Sequence, residues 1–139
     1  MSRSTGTGHC LCGQVRFSFA EPPLWCGYCH CESCRRNTGA VVATFVGVDS
    51  EHFECSGPVA HYHSSPGVRR DFCSVCGTPL TYRADRFPGE VHIYVSTVDE
   101  PHRFKPTFHV FHGEKIPWFE TDDQLPRHTA TTTSSTDDT

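Results

Sequence analysis

The run C-G-Y-C-H-C-E-S-C-R-R-N-T-G at residues 26–39 decides how the rest of the chain is read. Within it Cys29, Cys31 and Cys34 form C-x-C-x-x-C, which brings three thiols within reach of one metal ion without long-range folding. Three ligands are one short of the closed tetrahedron of a structural Zn²⁺, whereas a working Zn²⁺ keeps three protein ligands and leaves a position for water or substrate. Cys26, three residues before Cys29, is a candidate fourth ligand that would close the site. Spacing leaves both arrangements open.

Four more cysteines form two tight pairs, Cys10 with Cys12 and Cys73 with Cys76, followed by Gly13 and Gly77. Two such knuckles together make a four-thiolate tetrahedral Zn²⁺ site of the structural kind, whose binding free energy is part of folding. A redox reading is open to the C-x-x-C of Cys73 and Cys76, but it leaves the C-x-C at Cys10 without a use. Nine cysteines in 139 residues, an odd number with C-x-C spacings too short for an easy bridge, argue for metal ligation over a disulfide frame. The first nine residues carry no apolar run and no stretch reaches membrane-spanning length, so a reducing, cytoplasmic setting without a membrane partner is expected. Cys55, alone in a strand pattern, is expected to be a small core residue.

The net charge of −4 argues against sequence-independent binding to nucleic acid, which needs a concentrated basic surface. Ten arginines stand against two lysines, and Arg35 and Arg36 follow the last ligand of the central run. They are candidates for holding the carboxylates of a peptide thiol such as glutathione, or for balancing thiolate charge. His30 lies between two ligands and is expected beside the metal site rather than on it. His61 and His63 share a strand face, and His109 and His112 flank Phe111, where packing around a site mouth is the expectation.

Outside the knuckles the chain reads as short strands. Val15, Phe17 and Phe19 alternate with polar residues, 40–48 is a β-branched apolar run, and 52–55, 59–63, 69–72, 79–83, 90–98 and 107–111 are bounded by Gly, Pro and Ser turns. A turn or two around 32–38 is the best helix candidate. The predicted class is therefore all-β, as one domain over residues 8–127 between a flexible N-terminus (1–7) and a disordered Thr/Ser/Asp tail (128–139).

Four stretches in order, G-H-C-L-C-G-Q-V-R-F (8–17), C-H-C-E-S-C-R-R-N-T-G (29–39), F-C-S-V-C-G-T-P-L (72–80) and H-V-F-H-G-E-K-I-P-W-F (109–119), resemble the glutathione-dependent formaldehyde-activating enzyme family, which shares its domain with centromere protein V. The resemblance implies a mostly antiparallel β-tent fold with two zinc ions. It places Cys10, Cys12, Cys73 and Cys76 on the structural-zinc ligands and Cys29, Cys31 and Cys34 on the catalytic ones. The implied activity joins formaldehyde to glutathione as S-hydroxymethylglutathione, a carbon–sulfur lyase reaction. Cys26 is not part of the family's ligand pattern, and the basic extension suited to chromatin binding is missing. Two other readings stand beside the enzyme: a non-catalytic glutathione or thiol carrier, and a structural two-zinc interaction domain closed by Cys26.

Overall fold

The computed structural model describes residues 4–133. It is mostly β, with ten strands in chain order: β1 (Ser4–His9), β2 (Arg16–Glu21), β3 (Trp25–Cys29), β4 (Ala43–Asp49), β5 (Glu54–Ser56), β6 (Val59–Ser65), β7 (Val68–Cys73), β8 (Pro79–Ala84), β9 (Glu90–Tyr94) and β10 (His109–Val110). One α-helix, α1 (Glu32–Thr38), follows β3, as the sequence suggested. The chain divides into two compact units. The first comprises the chain up to Trp25 with Val46–Phe104, the second Cys26–Phe45 with the chain from Lys105 onward.

In the first unit β1, β2 and β5 form an antiparallel three-stranded sheet. Composition gave no strand signal for residues 4–7, yet β1 pairs with β2 along its whole length, Gly6 opposite Phe19 and Gly8 opposite Phe17. A Cβ at either glycine would meet the facing phenyl ring, so the absent side chains are what let the rings lie across β1. Phe17 and Phe19 stack at 6.3 Å and Phe19 meets Phe104 at 5.8 Å. Burial of each contributes about 1.5–3 kcal/mol.

The other strands of this unit follow the order β4-β9-β8-β7-β6, with Val46, Val48, Leu80, Val91 and Ile93 buried. Two sequence expectations are corrected here. Cys55 is exposed rather than in the core, because β5 is three residues long and pairs only along Arg16–Ser18 of β2, with all three of its residues at the surface. Residues 95–97, expected in a strand, form a 3-10 turn in which the Thr97 hydroxyl donates to Tyr94 O.

In the second unit β10 runs parallel to β3 with Val110 opposite Cys29. Residues 126–130, of which 128–130 were expected to begin the tail, lie along β10. His109 N–H donates to Pro126 O, His128 N–H to His109 O and Phe111 N–H to Ala130 O. Helix α1 ends at Gly39, whose φ of 67° is the left-handed conformation that suits glycine, and Gly39 N–H closes the helix onto Arg35 O. Residues 1–3 and 134–139, the ends of the expected flexible segments, fall outside the described residues.

Candidate metal centres

In the first unit two tight turns face each other. The Cys10 turn closes with Gly13 N–H on Cys10 O (3.0 Å) and the Cys73 turn with Gly77 N–H on Cys73 O (2.8 Å), and both glycines have φ of 81°. Leu11 N–H donates to the Thr78 hydroxyl at 3.0 Å and so ties one knuckle to the other. The sulfurs of Cys10, Cys12, Cys73 and Cys76 all lie within 4.8 Å of one another. Cys10 to Cys12 is 3.5 Å and Cys12 to Cys73 is 3.8 Å. A tetrahedral Zn²⁺ with bonds of about 2.3 Å places its sulfurs about 3.8 Å apart, so the geometry fits that ion, and it is far too open for a disulfide.

Backbone amides already point at these sulfurs. Val15 N–H donates to Cys10 Sγ, while Val75 and Cys76 N–H both donate to Cys73 Sγ. The Thr78 hydroxyl and N–H hold Cys76 down to about 5, whereas, against the Gln14 N–H, desolvation and then the neighbouring thiols push Cys12 up to about 12. The four thiols cannot all ionise without a cation between them.

In the second unit Cys29 ends β3, Cys31 is the N-cap of α1 and Cys34 sits in the first turn of that helix. Cys31 Sγ accepts the Cys34 N–H at 3.3 Å, so one sulfur caps the helix and stands among the three. All three sulfurs lie within 4.8 Å of one another, with Cys29 and Cys34 3.8 Å apart. Cys29 and Cys34 are buried and Cys31 is half-buried. Hydrogen bonding to the Cys31 and Cys34 thiols, and then burial, push the Cys29 thiol strongly upward, because three thiolates this close repel one another.

Cys26 does not join this group among the described residues. It lies three residues before Cys29 in the same strand, and odd spacing along a strand sends the two side chains to opposite faces. Burial pushes its thiol up to about 11.

The two arginines after the ligands take different places. Arg35 Nε donates to His30 O at 3.1 Å and Nη2 to Glu114 O at 3.0 Å, so its guanidinium clasps backbone carbonyls. The Glu114 carboxylate caps Glu32 N–H at the start of α1. Arg36 lies at the surface and pairs with Glu32 one turn earlier at 2.7 Å.

Behind the ligand loop lies a chain of groups that sequence reasoning left unconnected. Asp123 Oδ1 is 3.0 Å from His109 Nε2, and His109 Nδ1 is 2.8 Å from His30 Nε2. Both imidazoles are almost wholly buried, and His112 stands edge-on to each. Burial first, and then His109 and His112, hold His30 down to about 4. Burial likewise lowers His109, against the pull of Asp123. With both rings neutral, His109 donates Nε2–H to Asp123 and accepts at Nδ1 from His30 Nε2–H. His30 Nδ1 is then a buried acceptor, and it has no hydrogen-bond partner. Nothing in the sequence marked Asp123, which reaches His109 from 14 residues away in an irregular stretch. His61 Nδ1 instead binds the Asp71 carboxylate at 2.6 Å. A third group, half-buried Asp49 with exposed Glu51 and His52, lies at a 3-10 turn, where Asp49 Oδ1 caps Glu51 N–H.

Residues 5–114 match the family described as glutathione-dependent formaldehyde-activating enzyme. The chain belongs to that family. A relative from Halomonas elongata is 31% identical over 124 residues, covering 81% of this chain and 78% of its own, and is named "Putative glutathione-dependent formaldehyde-activating enzyme". The crystal structure of a Rhodobacter sphaeroides protein superposes with a TM-score of 0.57 at 21% identity, covering 67% of this chain and 87% of that one, a likeness of fold. All seven cysteines of the two clusters, from Cys10 to Cys76, lie within the matched residues.

Proposed function

We propose that this family member is a zinc-dependent carbon–sulfur lyase of the S-hydroxymethylglutathione synthase type, acting on a small thiol such as glutathione and an aldehyde. In this reading Cys29, Cys31 and Cys34 hold the catalytic Zn²⁺, and Cys10, Cys12, Cys73 and Cys76 hold a structural one. The observation that carries it is the three-sulfur set, in which Cys31 is half-buried and Cys26 stands apart. A Zn²⁺ bound there would lower the pKa of an entering thiol so that it is held as thiolate.

The chain's own residues supply the rest. β3 and the first turn of α1 hold the three sulfurs, and the Arg35 clasp fixes the turn between them. In the net reaction the thiol sulfur forms the new bond to the aldehyde carbon. The carbonyl π pair passes to oxygen, which takes the proton the thiol gave up; the reverse breaks the carbon–sulfur bond. Of the two arginines, Arg36 has its charge at the surface and is the one suited to a glutathione carboxylate, in exchange for Glu32. No helix among the described residues is long and apolar enough to cross a membrane, and the nine free cysteines suit a reducing compartment such as the cytoplasm.

The test combines native mass spectrometry with a rate assay. Two zincs per chain, glutathione adding at only one, and S-hydroxymethylglutathione forming faster than in buffer are expected. Thiol binding without acceleration would mean a carrier. Neither binding nor acceleration would leave an interaction domain, and the enzyme reading would fall.

A further inference from the structure

Within the first unit a cavity of about 220 Å³ opens between the β2/β5 strands and β6, β7 and β8. Phe17, Phe53 and Leu80 supply apolar wall, and Arg69, Asp71 and Arg83 supply charge. None of these residues belongs to either sulfur cluster.

The charges do not balance. Asp71 is 5% exposed and accepts four hydrogen bonds. Oδ1 takes His61 Nδ1 (2.6 Å) and Arg69 Nε (2.9 Å), and Oδ2 takes Arg69 Nη2 (3.1 Å) and the Thr81 hydroxyl (3.0 Å). Two acceptor sites on each oxygen are thereby filled, so the carboxylate is saturated. Arg83 comes no nearer than 3.8 Å to Oδ2, beyond hydrogen-bond range, and its buried Nε has no hydrogen-bond partner. Two guanidinium charges thus share one carboxylate, and Arg83 is the surplus. It is held over the Phe53 ring at 5.5 Å, beside the apolar wall.

We propose that this cavity binds a small organic monocarboxylate, with the carboxylate on the Arg83 guanidinium and a single-ring or branched apolar body against Phe17, Phe53 and Leu80. A planar fork with free donors is matched to a carboxylate. Asp71 beside it sets the charge, since a dianion would face that buried carboxylate across a few ångströms. The volume sets the size, because pockets for drug-sized ligands begin at about 300 Å³. The site stands independently of the thiol chemistry.

The experiment is a titration of the full, zinc-loaded, isotope-labelled chain with phenylacetate, followed by amide NMR shifts. Saturable shifts on β5 to β8 at millimolar or lower ligand are expected, and phenylacetamide, neutral but of the same shape, should produce none. Arg83→Gln should weaken binding at least tenfold, Arg83→Lys less, and Arg86→Gln not at all. Absence of shifts at about 10 mM phenylacetate, where even millimolar affinity would show, overturns the proposal. So does equal binding of the amide, or inorganic phosphate binding the same residues as tightly. The amide and phosphate arms need no variant, so they hold even where Arg83→Gln fails to fold.

Discussion

The two sulfur clusters are built from the same atoms and differ in how they are closed. In the four-sulfur cluster the ligands come from two turns 61 residues apart, joined by a backbone–side-chain bond from Leu11 to Thr78, and two of the four sulfurs are wholly buried. In the three-sulfur cluster all ligands fall within six consecutive residues, and the sulfur nearest solvent, Cys31, caps a helix. A cation in the first would hold distant segments together, whereas one in the second would hold a loop that strand β3, helix α1 and the Arg35 clasp already shape. Ligand separation along the chain thus distinguishes a cluster that would join remote segments from one contained in a single loop.

The largest expected effect tests that contrast. Cys73→Ser should abolish cooperative unfolding and leave the chain insoluble or molten by circular dichroism, since apparent structural-zinc binding is worth about 10–16 kcal/mol. Cys31→Ser should keep a cooperative thermal transition yet lose adduct formation by about 100-fold or more, beyond the loss typical of residues behind metal ligands. If both variants unfold alike, the contrast fails.

Next in size is the buried chain behind the ligand loop. Asp123→Asn removes the acceptor that orients His109 and, through it, His30, and should lower turnover or zinc affinity at the three-sulfur site by about 10-fold or more. Unchanged kinetics and zinc content would reduce this chain to packing. The same histidines set a pH dependence. His30, held down to about 4 by burial, binds its proton more weakly folded than unfolded. Its contribution to stability is therefore whole above about pH 6.5 and is lost as pH falls toward 4. His30→Phe, which keeps a buried ring, should show a shallower fall of thermal midpoint between pH 7 and 5 than wild type. Parallel curves would show that the histidine does not carry the dependence.

Smaller still, Cys26→Ala should leave zinc stoichiometry unchanged and cost about 1 kcal/mol of packing, read from denaturant midpoints. Loss of a zinc would put Cys26 back among the ligands. Least of all, Arg36→Gln should not move the thermal midpoint, because its ion pair with Glu32 is exposed. A rise in the KM for glutathione without change in kcat would mark Arg36 as a carboxylate contact.

The cysteine clusters were legible because ligand spacing is local and turn glycines mark it, and α1 was legible as a short helix at residues 32–38. β1 was not, since its strand character comes from Phe17 and Phe19 across the ladder rather than from its own Ser, Thr and Gly. β3 was hidden under the cysteine pattern. Cys55 looked like core because alternation reports a face, not whether anything covers it. Asp123 and the surplus charge of Arg83 depend on which partners other groups have already taken, a count made only in three dimensions.

The strand β10 is two residues long, and its outer edge is occupied by residues 126–130 of the same chain. A polypeptide ended before Pro126 would expose that edge as a free template for pairing, so loss of these few residues should appear as self-association rather than as simple loosening. This stretch thereby works as a cover against addition of a foreign strand, on the far side of β10 from the strand that carries Cys29.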